Sequence, residues 1–408
     1  MKPAERFFPK GLFQRALELQ DWCVETRRHL HRHPERSGQE FETLAYLRGL
    51  LDEFGAPWIE VADGGILALL GDERRGKTVL LRADIDALPI SENPRNLKRA
   101  REVISENPGI QHACGHDAHT AMLLAAAKLL APFSDEIPGR IILLFQRGEE
   151  GNGNLREILK YIDAHRVHID GAHAIHVRPD LPAGKIASVA GAVMASPAAF
   201  DITITGSGGH GSRPDLANNP LDCWATLYQG FKDIRLKHTS PFEPFTLAVG
   251  KLDYGAQANV ISPALHFVLS VRFYNEDYGE IFHDEVLLLL EGITKAYHCA
   301  YTVNRFLVAL PPIKNDAVAA AISQNAIRSY IGEEHLISAH EPMMCSDDFA
   351  LIGKRYPAVM LQLGIRNEEK GSGAELHSDL FDIDEAALPL GIAATAGFAL
   401  DFLASADE

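Results

Sequence analysis

Three imidazoles, a thiol and a carboxylate fall within His112-Ala113-Cys114-Gly115-His116-Asp117-Ala118-His119. Gly115 lets the backbone turn sharply there. The apolar run Thr120-Ala121-Met122-Leu123-Leu124-Ala125-Ala126-Ala127-Lys128-Leu129-Leu130 follows and predicts a buried helix. Such a turn at a helix start suits a charged guest. Thiolate and imidazole ligate zinc, while imidazole and carboxylate also suit manganese, cobalt or nickel.

Further candidates stand after other apolar runs. Asp84 and Asp86 follow Lys77-Thr78-Val79-Leu80-Leu81-Arg82, and Glu149 and Glu150 follow Gly139-Arg140-Ile141-Ile142-Leu143-Leu144-Phe145-Gln146. His176 lies in Ala172-His173-Ala174-Ile175-His176-Val177, and His377 in Glu375-Leu376-His377-Ser378-Asp379. One tetrahedral ion needs about four ligands. The surplus fits two ions sharing ligands a few ångströms apart. In the Glu149-Glu150 pair adjacent side chains diverge, so one can bind metal while its neighbour serves as general base. Each piece alone has a bland reading as loop, core or inert thiol; their common placement at strand ends weakens it.

The elements that must position them read as follows. Residues 11–33 predict an amphipathic helix stopped by Pro34, and a second runs from about Gln39 to Phe54, ending at Gly55. His29, His31 and His33 face different ways on that first helix, so surface and cap roles are expected. Short apolar strands at 65–70, 77–82, 139–146, 172–177 and 358–364 alternate with helices. This predicts an α/β fold with a mainly parallel sheet covered on both faces, whose sites form beyond the strands' carboxyl ends. Residues 190–310 read β-α-β-β-α-β, a split-βαβ pattern. The expected organisation is therefore a first catalytic part at 1–189, an inserted α+β, ferredoxin-like lid or dimerisation domain at 190–310, and a second catalytic part at 311–408, closing with an apolar helix at about 385–403.

Bulk properties bound the function. The chain has 408 residues, enough for two or three domains, and a net charge of −16, which argues against a nucleic-acid partner. The basic Arg95–Arg101 segment reads as a solvated loop or helix face. Five widely spaced cysteines do not form a disulfide framework and suit a reducing compartment. No leader is read, no stretch approaches a membrane span, and the cytoplasm is the expected location.

The motifs resemble the dinuclear metallopeptidases and amidohydrolases that include aminoacylases, hippurate hydrolases, carboxypeptidases and, in the branch most like this chain, the indole-acetyl-amino-acid (auxin-conjugate) hydrolases. The carriers are Arg82-Ala83-Asp84-Ile85-Asp86-Ala87-Leu88-Pro89, the Cys114 segment through Ala121, Phe145-Gln146…Glu149-Glu150-Gly151, His173 to Pro179, Gly208-Gly209-His210-Gly211 and Leu376-His377-Ser378. The resemblance implies a zinc-peptidase-like fold, two divalent ions and hydrolysis of N-acyl or N-aroyl amino acids. It implies Cys114, His116, Glu150, His176 and His377 as metal ligands and Glu149 as general base. Asp86 would orient a metal-binding histidine, His210 would support the oxyanion, and Asn259 would contact substrate from the lid. Arg272 is a candidate clamp for a substrate carboxylate, or a solvated strand-end arginine. The partner is a small N-acyl amino acid or dipeptide, and the chain is a monomer or a homodimer joined through the lid.

Four departures bear on the substrate. Gln146-Arg147-Gly148 stands where the family usually has Pro-Ala; Arg147 would enter the pocket or point to solvent. Asp215 replaces a second histidine, Asn152-Gly153-Asn154 replaces a glycine-alanine pattern, and Asp347 replaces a glutamate. Two competitors accompany the amidohydrolase reading: a dipeptidase or carboxypeptidase of the same fold, and a catalytically idle protein that binds a small carboxylate.

Overall fold

A computed structural model describes residues 2–8, 10–151 and 153–406. The chain forms two compact units, one of residues 1–191, 314–341 and 352–408, the other of 192–313 and 342–351.

In the first unit the predicted N-terminal helix is two helices, α1 (Leu12–Glu18) and α2 (Gln20–Arg32), broken at Leu19. Helix α3 (Phe41–Phe54) ends on Gly55 in the left-handed conformation. Strands β1 (Trp58–Val61), β2 (Gly65–Gly71) and β3 (Thr78–Asp84) follow, then helix α4 (His116–Leu130), β4 (Arg140–Gln146), α5 (Leu155–His165) and β5 (Gly171–Pro182). The eight-stranded sheet runs β1-β2-β4-β3-β5 and then strands Ala358–Arg366, Ile186–Ala187 and Leu336–Ile337. Its centre is parallel: β4 with β3, β3 with β5, and β5 with Ala358–Arg366. β1 and β2 add antiparallel pairs at one side. Every residue of β3 is buried, as expected of a strand covered on both faces.

Because these strands run together, the residues after Asp84, after Gln146 and around His176 emerge at one edge. Asp84 pairs with Gln146, and His176 lies just beyond the Arg82–Ala174 pair. Gln362 of the neighbouring strand is in register with His176.

One sequence expectation is corrected by the C-terminal helix. The stretch Glu385–Ala404 is 20 residues long and apolar enough to cross a membrane, by length and composition. It is mostly buried and packs on α4, so its hydrophobicity is that of a core helix.

The second unit has an antiparallel sheet in the order Phe245–Tyr254, Ala264–Phe273, Ser196–Thr205, Ala300–Val308. Helices Pro220–His238 and Asp277–Ala296 cover one face, burying Phe200, Phe231, Phe267 and Phe282 in a core of their own. This is the split-βαβ arrangement. Residues 342–351, which the sequence had placed in the resumed first part, belong here: Ala195 N–H donates to the carbonyls of Met343 and Cys345.

Candidate metal centre

The turn before α4 is built around Gly115. Its φ is +83°, and a Cβ there would lie 2.4 Å from Val177 Cγ2, so both conformation and space demand glycine. With the chain turned there, Cys114 and His116 face the sheet edge. His377 also sits at a positive φ, +62°, held by its N–H donating to Ala113 O at 2.9 Å. That bond ties the last candidate ligand to the loop carrying the first.

The structure gathers all five predicted ligands. Cys114 Sγ lies 3.6 Å from His176 Nε2. Glu150 Oε1 lies 3.8 Å from His116 Nε2 and 3.1 Å from His377 Nε2. Ligand atoms of Cys114, His116 and His176 all fall within 4.8 Å of one another, as do those of Cys114, Glu150 and His377, and of His116, Glu149 and Glu150. The three sets overlap pairwise, through Cys114, His116 and Glu150, as expected of two neighbouring ions that share ligands.

The donor chemistry fits such ions. His116 Nδ1 donates to Asp86 Oδ1 at 3.1 Å, leaving Nε2 buried without a partner. His176 Nδ1 donates to Val177 O at 2.7 Å, which turns Nε2 toward Cys114 Sγ. Glu150 Oε1 is likewise buried without a hydrogen-bond donor. Each histidine is thus fixed in the tautomer that offers its far nitrogen to a metal. Electrostatics agree. Burial, with Glu150 beside it, pushes the Cys114 thiol well up. Burial alone would lower His116, but Asp84, Asp86 and Cys114 outweigh it and raise it well above its ordinary value. That surrounding negative charge is what would also favour a bound cation at His116. His176 is lowered by burial and by His119, and stays neutral, as a ligand must.

Asp86 joins three parts of the site. Besides holding His116, its Oδ2 accepts from Glu150 N–H at 3.0 Å and from Ser37 Oγ. Asp84 is different. It sits between Arg82 Nη1 (2.8 Å) and His119 Nδ1 (2.6 Å); Arg82, His116 and His119 together hold it well below the usual carboxylate range against the effect of burial. His119 Nε2 accepts from Val177 N–H at 2.9 Å. With both nitrogens engaged, His119 supports the strand rather than ligating. From sequence, Asp84 is a candidate ligand and His119 has no assigned role. The signal was available: His116, His119 and Thr120 share a helix face, and Thr120 Oγ1 donates to Asp84 O at 2.7 Å.

Three other expectations are corrected. His31 is buried: its ring lies 2.8 Å from both Asp117 Oδ2 and Glu92 Oε1. Asp117 also pairs with Arg27 Nε at 2.7 Å, which anchors the start of α4 to α2. Of the expected surface trio only His33 is exposed, with His29 half-buried against Tyr46. Arg101, expected to be solvated, has a side chain 1% exposed between Glu92 and Asp382. Arg147 takes neither predicted course: it is buried on Glu40 Oε2 at 2.8 Å.

The remaining predicted residues lie in the second unit. His210 and Val260 face each other across a two-stranded ladder, with Gly211 N–H donating to Asn259 O. His210 Nδ1 accepts from Ser212, and Asn259 is exposed. Arg272 is half-buried, donates to Ser346 Oγ at 3.0 Å, and has no ion pair among the described residues. Asp215 is exposed and pairs with Arg213; Asp347 accepts from Phe349 N–H; Asn152 lies outside the described residues.

A model of peptidase family M20/M25/M40 matches residues 80–401. Thermostable carboxypeptidase 1 of Saccharolobus solfataricus is 31% identical over 94% of this chain and 96% of its own. The N-acyl-L-amino acid amidohydrolase of Geobacillus stearothermophilus is 34% identical over 73% of this chain and 79% of its own. The crystal structure of a dinuclear metal binding M20 peptidase from Bacillus subtilis superposes with a TM-score of 0.79 at 26% identity, covering 95% of this chain and 99% of that one.

Proposed function

The chain belongs to peptidase family M20/M25/M40, and we propose that within it this protein is a metal-dependent amidohydrolase of N-acyl amino acids. The observation that carries the reading is the convergence of the buried, tautomer-fixed His116 and His176 with Cys114, Glu150 and His377 beside Glu149. Cys114, His116, Glu150, His176 and His377 would hold two divalent ions, which when bound polarise the scissile carbonyl and acidify water. The thiol favours zinc, with manganese, cobalt or nickel as the alternatives.

The chain's own residues do the rest. Glu149 takes the proton of the attacking water and delivers it to the leaving amine. Asp86 keeps His116 in its ligating tautomer. His210 supports the oxyanion, Asn259 touches the substrate, and Arg272, a half-buried guanidinium with no carboxylate partner among the described residues, pairs with the substrate's carboxylate. The five free cysteines suit a reducing compartment such as the cytoplasm. Exposed Phe242 and Leu236 on the second unit support a homodimer formed through it, which light scattering tests.

The test is Glu149→Gln. With both ions loaded, measured by mass spectrometry, it should lose roughly 100-fold or more in kcat on N-acetyl and N-benzoyl amino acids. Normal turnover would remove Glu149 from its role. The carboxypeptidase reading draws on the Saccharolobus solfataricus relative. Comparing kcat/KM for N-acyl amino acids and dipeptides separates the two, and no turnover on either panel would revive the idle binding protein.

A further inference from the structure

The turn Arg147-Gly148-Glu149-Glu150 is held from behind by a group outside the metal cluster. Glu40, fully buried, spends both carboxylate oxygens there. Oε1 accepts from Gly38 N–H at 2.7 Å and from Gly148 N–H at 2.9 Å. Oε2 accepts from Arg147 Nε at 2.8 Å, and Arg147 Nη2 donates to Gly38 O at 2.8 Å. The guanidinium is capped by the Phe41 ring, 5.1 Å from its centroid, with Asp63 at 3.7 Å on its outer side.

The same short segment grips the site a second way. Ser37 Oγ donates to Asp86 Oδ2, the atom that also receives Glu150 N–H. Residues 37–40 therefore hold the turn at Gly148 and at Glu150, on both sides of Glu149. Gly148 itself has φ +64° and a Cβ there would meet Asn154 at 2.8 Å, so the turn has little freedom to find another path.

We infer that Glu40 and Arg147 are positioning residues for this reaction: their buried ion pair fixes the backbone from which Glu149 and Glu150 reach the metals and the water. The inference rests on the metal-dependent reading above. A buried pair with a full set of hydrogen bonds is a poor source of stability but a good source of unique geometry. Groups of this kind around a metal site change affinity or rate by roughly 10- to 100-fold when removed.

The test uses Arg147→Met, Arg147→Lys and Glu40→Gln in the full-length protein, loaded with Co2+ as a probe. Release of Co2+ into excess chelator is followed by absorbance, well below each variant's melting temperature. Arg147→Met should release metal roughly 10- to 100-fold faster than wild type and lose kcat to a similar extent, with KM changed less than about twofold. Arg147→Lys, which keeps the charge and one donor, should lie between the two. If Arg147→Met fails to fold, Glu40→Gln carries the same expectation. A folded variant with a lowered melting temperature but wild-type metal release and kcat would reduce the pair to a packing role and overturn the inference. Metal release is read without substrate, so a wild type inactive on every amide would sink the functional reading and leave this comparison decisive.

Discussion

Replacing Asp86 by asparagine keeps its size and removes its charge, and the geometry allows the consequence to be worked out. One oxygen must accept from His116 Nδ1 and the other from Glu150 N–H and Ser37 Oγ. An asparagine has a single acceptor oxygen. If it faces His116, an NH2 group meets two donors, and the Glu150 backbone loses its anchor. If it faces Glu150, the NH2 meets Nδ1, which must then accept, and the proton moves to Nε2, where a metal should bind. Either orientation breaks one ligand's support. A buried charge-assisted hydrogen bond contributes about 1.5–3 kcal/mol, so metal affinity at this site should fall roughly 10- to 150-fold. Competition with a calibrated chelator, read separately for the first and second ion, measures it. One ion should weaken more than the other, and kcat at saturating metal should fall as well. Asp86→Asn with both dissociation constants within about threefold of wild type would refute the argument that Asp86 governs the tautomer.

Gly115→Ala should destabilise by at least about 1–3 kcal/mol, because φ +83° and the 2.4 Å approach to Val177 both oppose it; metal affinity should fall with it, and an unchanged melting temperature would contradict the reading of the turn. His173 lies stacked on Phe398 with its Nε2 unpartnered, and burial pushes its pKa down to about 3 from 6.5. The unfolded chain therefore binds a proton that the folded one refuses between pH 6.5 and 3, and stability falls as pH drops, by about 1.4 kcal/mol per unit across that window. His173→Phe should flatten that slope, recovering about 3 kcal/mol between pH 6.5 and 4 in denaturant titrations; an unaltered slope would mean the ring is already protonated in the fold.

What the sequence made legible were features whose cause is local. Unbroken apolar runs predicted the parallel strands, and a ligand-rich turn before an apolar run predicted α4 and its site. What it hid were choices made by partners remote in the chain. Arg147 was open between pocket and solvent because Glu40, which takes it, lies on a different element. His31 and Arg101 looked solvated because period alone does not reveal that Asp117, Glu92 and Asp382 wait for them. The C-terminal helix was placed correctly, but the reading that no stretch approaches a membrane span was too strict: by length and composition this one does, and its burial marks it as a core helix.

The groups that brace the metal site from outside it come largely from one segment. Arg27 and His31 of α2 hold Asp117 at the start of the ligand helix, and Ser37 and Glu40 hold Asp86 and the Glu149 turn. All four precede residues 80–401, which the family model matches and which contain every proposed ligand. The ligands occupy the sheet edge and the turns beside it, where the backbone is least fixed by the ladder itself. Something outside the strands must hold such turns to the tolerance metal coordination demands. Here that support is polar and mostly buried, so each contact is directional in a way apolar packing is not. Residues 20–40 are thus better described as the outer wall of the metal site than as an N-terminal appendage. A consequence follows for substitutions: changes in that segment should disturb metal binding before they disturb the core, whereas changes in the C-terminal core helix should do the reverse.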